Sequence, residues 1–277
     1  MKRYKYPSVL TIAGSDSGGG AGIQADLKTF SALGCFGTSA ITAVTVQNTM
    51  GVRDIHSIPA EIVQGQIKAV MDDIQPSAIK IGMVHSTELA IAIHDTLATY
   101  PDIPVIFDPV MVATSGDKLI NDDTVSVLKT VLFPLMALIT PNVDEAEILT
   151  GQKISNLAEM QSAARALLQT GCSAVLLKGG HLKGRKVYDF YTSREGAEQV
   201  FESDYIESDN VHGTGCTLSS AIAAYLTLNH TLADAISKAR AYVYQAILQG
   251  KDVKTGHGHG PLNHFFNPQK LTQYEVD

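Results

Sequence analysis

The sequence predicts an α/β protein, a three-layer α/β/α sandwich around a mostly parallel central sheet. Short β-branched or apolar runs recur along the 277 residues, each followed by a longer segment with helical periodicity. The runs are nearly continuous hydrophobes, which indicates that helices cover both faces of the sheet through right-handed crossovers. Because the chain is 45% hydrophobic and 18% charged and has no low-complexity linker, we expect residues 1–277 to form a single domain.

The predicted elements follow from these runs and from the spacing of apolar residues between them. The first helix carries an apolar stripe at Ile23, Leu27 and Phe30, and Gly34 is expected to end it. A hairpin-like stretch, Lys186–Ser193, is expected to add an edge strand. The predicted parallel strands are residues 9–13, 41–46, 78–83, 105–108, 136–140 and 174–178, and the alanine-rich late helices are residues 216–228 and 232–249.

Composition and charge exclude several classes of protein. The formal net charge is −7 with no basic tract, so we expect no nucleic-acid partner. No run of eighteen uncharged apolar residues occurs and the N-terminus lacks a signal-peptide core, so we expect a cytoplasmic protein without a membrane segment. The chain has three cysteines, Cys35, Cys172 and Cys216. Their odd number and wide spacing argue against a disulfide framework or a structural zinc site.

A glycine-rich loop, residues 14–22, follows the first predicted strand. Its five glycines let the backbone approach a ligand closely and turn N–H groups inward, at the carboxyl end of a strand, where α/β sheets bind ligands. No Gly-Lys-Ser/Thr closes the loop and no acidic residue ends the following strand, so it matches neither a P-loop nor a dinucleotide fingerprint. The alternative is a tight turn without a ligand.

A second glycine motif, residues 212–216, precedes one of the late helices. Gly213 and Gly215 free N–H groups for an anion-binding nest, and the helix N-terminus adds positive potential that suits a phosphoryl group. Cys216 lies at the base of this nest, where the helix N-terminus is expected to lower the thiol pKa and to allow a general-base role. The alternative for Cys216 is a buried cysteine acting as a small hydrophobe.

Polar residues also follow three other predicted strands. Asp108 ends a buried strand and is a candidate magnesium ligand. Asn142 and Glu145 are three apart at a helix start, so they either face one site or form a capping box. Lys178 ends a strand beside two glycines, which would place its ammonium near a nucleotide phosphate. Lys80 lies in an apolar strand and is either paired with a carboxylate or on a solvated edge.

The run 256–260 alternates glycine with His257 and His259. Two histidines without other nearby ligands make a poor metal site, so a loop that covers a ligand is the favoured interpretation.

Five motifs, in this order along nearly the whole chain, resemble the hydroxymethylpyrimidine/phosphomethylpyrimidine kinases of thiamine biosynthesis. They are residues 14–26, 108–111, 140–142, 178–181 and 212–217. The resemblance implies a ribokinase-like fold, ATP as the donor and Mg²⁺ as the metal. It also implies two successive phosphorylations, of 4-amino-5-hydroxymethyl-2-methylpyrimidine and then of its monophosphate, and a homodimer.

The same resemblance implies a role for each matched position. Cys216 resembles the catalytic base, and Gly213 and Gly215 resemble parts of an anion hole. The positions that would bind the pyrimidine are Gln47, Asp26, Gly14, Ala21, Met83 and Val110, the last two as apolar walls. The positions near the nucleotide are Asn142, Lys178 and Thr214, and those near the metal are Asp108 and Glu145.

Two alternatives to this function are open. A branch of the pyridoxal kinases shares the scaffold and the motif cysteine, but Gln47 favours a pyrimidine. A carboxamide offers a donor and an acceptor side by side, complementary to the ring nitrogen and exocyclic amine of an aminopyrimidine; the alternative for Gln47 is a polar loop residue. The second alternative is a non-catalytic sensor of a vitamer or nucleotide, against which the candidate base, anion hole and magnesium positions argue.

Overall fold

The computed structural model describes residues 2–111, 120–180, 182 and 184–276; His181 of the motif 178–181 lies outside the described residues. The strands are β1 (Arg3–Lys5), β2 (Ser8–Ser15), β3 (Phe36–Asn48), β4 (Gly51–Ser57), β5 (Ala78–Ile81), β6 (Val105–Phe107), β7 (Leu138–Ile139), β8 (Ala174–Lys178), β9 (Lys186–Ser193), β10 (Glu198–Asp204) and β11 (Tyr274–Val276). The α-helices are α1 (Gly22–Ala32), α2 (Ala60–Asp73), α3 (Thr87–Leu97), α4 (Asp122–Val127), α5 (Val143–Thr150), α6 (Leu157–Leu168), α7 (Thr214–Thr227) and α8 (Leu232–Gly250). A π-helical turn, Leu128–Leu132, and a 3₁₀ turn, Phe133–Leu135, continue α4.

Nine of these strands form one sheet, in the order β10-β9-β8-β7-β6-β5-β2-β3-β4. The six strands from β8 to β3 in that order are parallel, whereas β4, β9 and β10 each pair antiparallel with a neighbour. Strands β1 and β11 form a separate antiparallel pair. The mostly parallel sheet is therefore confirmed.

Helices cover both faces of the sheet, as a three-layer sandwich requires. One buried cluster joins the sheet to α2–α6, through residues such as Ile67 and Met160. The other joins it to α1, α7 and α8, through residues such as Phe30 and Ile222. Because successive strand residues point to opposite faces, the fully buried Leu10 of β2 enters the first cluster while its neighbour Val9 enters the second. Each such side chain stabilises the fold by about 1.5–3 kcal/mol relative to exposure.

All six predicted parallel strands exist, but several boundaries and edges differ from the prediction. Strand β3 begins at Phe36, five residues before the apolar run, because its small polar first half pairs with β2. Strand β4 was missed because its residues are mostly exposed. Lys186–Ser193 was expected at the edge, and that placement was wrong, because β10 pairs with its outer side. In β10 only Phe201 is buried, so its sequence carried little strand signal.

Two glycines position the elements that surround the carboxyl ends of the parallel strands. Gly34 has φ +79°, a left-handed conformation, and follows the end of α1 as predicted. Gly213 has φ +85° and precedes α7. A Cβ on Gly213 would overlap the carbonyl oxygen of Gly20, so the two glycine motifs are in direct backbone contact. This contact brings the N-termini of α1 and α7 to one end of the sheet.

Candidate active site

Two adjoining cavities open at the carboxyl ends of the parallel strands. The first has a volume of about 380 Å³ and the second of about 440 Å³. Both are lined by Asn142, Lys178 and Gly215, which therefore mark their junction. Among the other predicted site residues, Thr214 lines the second cavity. The first cavity is lined by Gly14, Ala21, Gln47, Met83, Asp108, Val110, Glu145, Gly213 and Cys216. Asp26 is the one predicted site residue that lines neither cavity.

Asp26 lies in the buried layer beneath the first cavity. Its carboxylate accepts hydrogen bonds from Lys80 Nζ at 2.9 Å to each oxygen, from Thr11 Oγ1 at 2.6 Å and from Ser220 Oγ at 2.7 Å. Asp26 and Lys80 are both 0% exposed. The structure thus pairs Lys80 with a carboxylate, one of the two predicted alternatives. Protein partners surround the Asp26 carboxylate, so a direct contact between Asp26 and a pyrimidine stays a prediction that this arrangement does not support.

Lys80 connects this buried pair to the cavity above it, whose floor it lines. Burial lowers the pKa of Lys80, but the Asp26 carboxylate outweighs it, with further contributions from Cys216 and Asp108, and the net pKa is raised. Lys80 is therefore a fixed positive charge beside Cys216.

Cys216 is the third residue of α7 and borders the cavity. Burial raises the pKa of its thiol to about 11, Lys80 acts in the opposite direction, and the carboxylates of Asp26 and Asp108 raise it further. The expectation of a thiol pKa lowered by the helix N-terminus was wrong, because desolvation outweighs the effect of the helix dipole here.

The glycine-rich loop is closed by its own carboxylate. Asp16 accepts hydrogen bonds from the backbone N–H groups of Gly18 at 2.8 Å, Gly20 at 3.0 Å and Ala21 at 2.9 Å. Burial raises the pKa of Asp16, but hydrogen bonds from His212, Ala21 and Gly18 outweigh it and the net pKa is lowered. The loop does line the cavity, but the prediction that its N–H groups turn toward a ligand was wrong for these three amides.

His212 is a cavity residue that the sequence did not single out beyond its place in the second glycine motif. Its Nε2 lies 3.0 Å from Asp16 Oδ2 and 3.3 Å from the carboxamide nitrogen of Gln47. Gln47 is anchored at its backbone by Ser17, whose hydroxyl accepts from its N–H and donates to its C=O. A histidine next to a glycine that precedes a helix was the only signal for this position.

The second glycine motif offers fewer free backbone amides to an anion than predicted. The N–H of Thr214 donates to the carbonyl of Val211 at 3.2 Å, and its hydroxyl donates to the same carbonyl at 2.6 Å. A Cβ on Gly215 would lie 3.1 Å from Lys178 Nζ and 3.2 Å from Asp108 Oδ2, so only glycine lets that backbone approach the ion pair closely. Gly215, in the first turn of α7, lies at the junction of the two cavities, at a helix end where some amides have no partner within the helix.

A cluster of charges surrounds the junction of the cavities. Lys178 Nζ donates to Asp108 Oδ1 at 2.7 Å, and Thr140 Oγ1 lies 3.1 Å from the same oxygen. Burial lowers the pKa of Lys178, and the carboxylates of Asp108 and Glu145 outweigh it, so the net pKa is raised. Burial raises the pKa of Glu145 to about 7, with Lys178 acting against it and Asp108 with it.

Asn142 and Glu145 form a capping box and also lie at one site, so both interpretations of their spacing hold. The N–H of Asn142 donates to Glu145 Oε2 at 2.8 Å and the N–H of Glu145 donates to Asn142 Oδ1 at 2.9 Å, a capping box that begins α5. Both side chains also line the first cavity, so the cap holds them at the site.

The segment 256–260 lies against Thr49, at the edge of the first cavity. The N–H groups of His257 and Gly258 donate to Thr49 Oγ1, and that of His259 donates to the Thr49 carbonyl. His259 lines the cavity. Among the described residues no group of three His, Cys, Asp or Glu side chains is arranged to hold a metal ion. These contacts agree with a ligand-covering loop.

The model of one protein family, described as phosphomethylpyrimidine kinase, matches residues 16–263 of the chain. The chain belongs to this family. The hydroxymethylpyrimidine/phosphomethylpyrimidine kinase of Rhizobium meliloti strain 1021 is 50% identical over 257 residues, which are 92% of this chain and 96% of that protein. The family assignment confirms the resemblance read from the five motifs.

Two solved structures support the ribokinase-like fold. The phosphomethylpyrimidine kinase of Clostridium difficile 630 is 44% identical, with a TM-score of 0.77 over 87% of this chain and 99% of its own. The pyridoxal kinase of Staphylococcus aureus in complex with AMP-PCP and pyridoxal is 30% identical, with a TM-score of 0.85 over 98% of this chain and 99% of its own. Shape alone does not separate the two activities, because one scaffold can carry several functions. The higher sequence identity favours the phosphomethylpyrimidine kinases.

Proposed function

We propose that this phosphomethylpyrimidine kinase family member transfers the γ-phosphoryl group of ATP to 4-amino-5-hydroxymethyl-2-methylpyrimidine and then to the resulting monophosphate. One observation carries the proposal. The aminopyrimidine candidate Gln47 and the proton-acceptor candidate Cys216 line the same cavity, which meets a second cavity at Asn142, Lys178 and Gly215. An acceptor in one cavity and a nucleotide in the other would meet at that junction, which converts a bimolecular transfer into a positioned one.

The second cavity suits a nucleotide. Val187, Val243 and Ile247 give it apolar walls for a base, while Lys178 supplies positive charge at the end shared with the first cavity. Thr214 lies at the start of α7 in the same wall, near a helix N-terminus that favours phosphate. This arrangement supports ATP as the donor, with its phosphates directed toward the junction.

Asp108 and Glu145 fit a magnesium ion that travels with the nucleotide. Magnesium takes one or two protein carboxylates and completes its shell with water and phosphate oxygens, so two buried carboxylates at the junction are a suitable donor set. The bound ion would neutralise phosphate charge. The raised pKa of Glu145, about 7, agrees with a carboxylate that lacks a counter-charge strong enough to offset its burial.

Cys216 is the candidate that takes the proton of the acceptor alcohol. With its pKa at about 11, forming a free thiolate at pH 7 would cost roughly 5 kcal/mol, so we assign proton transfer to the moment when the phosphoryl bond forms. Lys80 lowers this cost because its charge favours the thiolate. Gly213 and Gly215 leave space for backbone amides to bind the transferring group, and Lys178 neutralises it.

A competition assay tests the substrate. The purified protein, ATP and Mg²⁺ are incubated with equal concentrations of the hydroxymethylpyrimidine and of pyridoxal, and both products are quantified. We expect the pyrimidine to be phosphorylated preferentially, because the Gln47 carboxamide pairs with an amine and a ring nitrogen. Preferential phosphorylation of pyridoxal would overturn the proposal, and turnover of neither compound would favour the sensor.

We also propose that the chain is one domain that works as a homodimer in the cytoplasm. Within the described residues, none of the helices has the length and apolar character of a membrane span. The antiparallel edge β3–β4 has three exposed apolar residues, Val44, Val46 and Ile55, with relative accessibilities of 44%, 55% and 40%. This edge is a suitable surface for a second copy of the chain. Light scattering should give twice the chain mass of 29.6 kDa, and a Val46→Lys variant should shift it toward the monomer. A monomer in the unaltered protein would contradict the dimer.

A further inference from the structure

Gln47 lies between two polar side chains, Thr45 and His212, each of which also contacts another protein oxygen. On one side, Thr45 Oγ1 is 3.1 Å from Gln47 Oε1 and 2.9 Å from the carbonyl oxygen of Ser15. On the other side, His212 Nε2 is 3.3 Å from Gln47 Nε2 and 3.0 Å from Asp16 Oδ2. The two ends of a carboxamide exchange places by a 180° rotation, so the surrounding donors and acceptors decide which end faces which neighbour.

The Thr45 hydroxyl has one proton to donate. A carbonyl oxygen can only accept, so the short contact to Ser15 takes that proton. The hydroxyl then presents a lone pair to Gln47. The carboxamide end next to Thr45 is satisfied when it is the amino group.

The His212 ring gives the same answer from the other side. Asp16 is held as a carboxylate by three backbone N–H groups, and its Oδ2 can only accept, so His212 Nε2 carries a proton and donates it to Asp16. A second N–H from Gln47 directed at that proton would leave two donors facing each other. When the carboxamide end next to His212 is the oxygen, both neighbours of Nε2 are acceptors, and the one N–H can be shared between Asp16 Oδ2 at 3.0 Å and the carboxamide oxygen at 3.3 Å.

We propose that His212, held by Asp16, fixes the Gln47 carboxamide with its oxygen toward His212 and its amino group toward Thr45, and so selects a 4-aminopyrimidine over its 4-oxo analogue. His212 is a positioning residue in this proposal, which rests on the proposed function and names how the site recognises its substrate. The ring is then bound with its exocyclic amine on the His212 side and its neighbouring ring nitrogen on the Thr45 side.

The 4-oxo analogue, 5-hydroxymethyl-2-methylpyrimidin-4-one, reverses both hydrogen-bonding groups on this edge. Its oxygen would meet the carboxamide oxygen and its ring N–H would meet the amino group. Mispaired polar groups in a built site give large discrimination, so we expect the unaltered protein to prefer the amino compound by about 10²–10⁴ in kcat/KM. A carboxamide free to rotate could pair with either compound and would lose most of this preference.

The experiment measures the ratio of kcat/KM for the amino and the 4-oxo compounds, a ratio that does not depend on the fraction of folded enzyme. His212→Leu removes the donor, and His212→Gln keeps an N–H near the position of Nε2. We expect the ratio to fall at least tenfold in His212→Leu, through a lower KM for the oxo compound and a higher KM for the amino compound. His212→Gln should keep most of the ratio.

A glycine variant moves His212 without changing its chemistry. A Cβ on Gly20 would overlap His212 Cδ2, whereas a Cβ on Gly65, in α2, meets no atom within 4 Å. Gly20→Ala should therefore lower the ratio as His212→Leu does, and Gly65→Ala should leave it unchanged.

The outcomes separate the two proposals. If the unaltered protein prefers the amino compound and His212→Leu keeps that preference while losing turnover equally for both compounds, His212 does not orient Gln47 and the inference is overturned. Turnover of neither pyrimidine by the unaltered protein would overturn the proposed function and this inference with it.

Discussion

Replacement of Asp26 by Asn tests whether the buried ion pair beneath the cavity is a structural element. Asp26 and Lys80 are both 0% exposed and are joined by two contacts of 2.9 Å. Asn keeps the shape of the side chain but leaves the Lys80 charge buried without a counter-charge. It also turns one acceptor toward Thr11 or Ser220 into a donor. Breaking one partner of a buried pair costs about 3–5 kcal/mol.

That cost converts into a measurable change in melting temperature. At about 2.1 cal/mol/K per residue, a chain of this length has an unfolding entropy of roughly 580 cal/mol/K, so 3–5 kcal/mol lowers Tm by about 5–9 °C. Calorimetry and urea denaturation at pH 7 measure it. The pH is suitable because the pKa of Lys80 is raised in the folded state, so its stabilising contribution is fully present below the ordinary lysine pKa and is lost only as pH rises through the folded one.

Two controls separate this effect from a general sensitivity to losing charge. The double variant Asp26→Asn/Lys80→Met removes both charges and should recover most of the lost stability. Glu198→Gln breaks the exposed pair with Arg165 and should leave Tm almost unchanged. A Tm for Asp26→Asn within about 2 °C of the unaltered protein would refute the reasoning, since it corresponds to roughly 1 kcal/mol.

Three further predictions concern the site itself. Cys216→Ala should lower kcat by about 10²–10⁴ with ATP affinity, measured by calorimetry, nearly unchanged, and equal turnover would remove Cys216 from the mechanism. Glu145 has a folded pKa of about 7, above its unfolded value, so keeping its carboxylate buried costs stability as pH rises from about 4.5 to 7. The free energy of unfolding of Glu145→Gln, measured by urea denaturation, should therefore rise by about 1–3 kcal/mol relative to that of the unaltered protein between pH 5 and pH 8. A difference that stays constant over this range would contradict the prediction. Gly215→Ala presses on Lys178 Nζ and should lower kcat at least tenfold, while Gly65→Ala should not; unaltered turnover in Gly215→Ala would show that the junction tolerates a side chain.

The sequence predicted the parts of the fold that depend on local pattern. Continuous apolar runs marked the six parallel strands because a strand buried on both faces has no polar side. Strand β10 carries one buried residue, Phe201, and β4 is mostly exposed. Both segments are strands because they pair with a neighbouring strand, and the local hydrophobic pattern does not contain that pairing.

The site shows the same division between local and long-range information. Gly213 and Cys216 were found because a helix start and its glycines are local. Asp16, Asp26 and His212 depend on partners far along the chain: His212 meets Asp16 across 196 residues and Ser220 meets Asp26 across 194. Spacing alone could not assign these contacts, and the family resemblance, which implies a pyrimidine contact for Asp26, did not contain the protein groups that surround its carboxylate.

The thiol of Cys216 shows how a correct local rule can be outweighed. A helix N-terminus does favour a thiolate, but Cys216 is partly buried, and burial together with the carboxylates of Asp26 and Asp108 raises its pKa to about 11. The depth of a side chain is a property of the packed fold, and the sequence around residue 216 does not contain it.

The most direct test of the central claim is ³¹P NMR of the purified protein with excess ATP, Mg²⁺ and 4-amino-5-hydroxymethyl-2-methylpyrimidine. We predict a phosphomonoester signal that appears first and a diphosphate pair that replaces it, with both signals suppressed in Cys216→Ala. No phosphomonoester from this pyrimidine under conditions in which pyridoxal is phosphorylated would contradict the account.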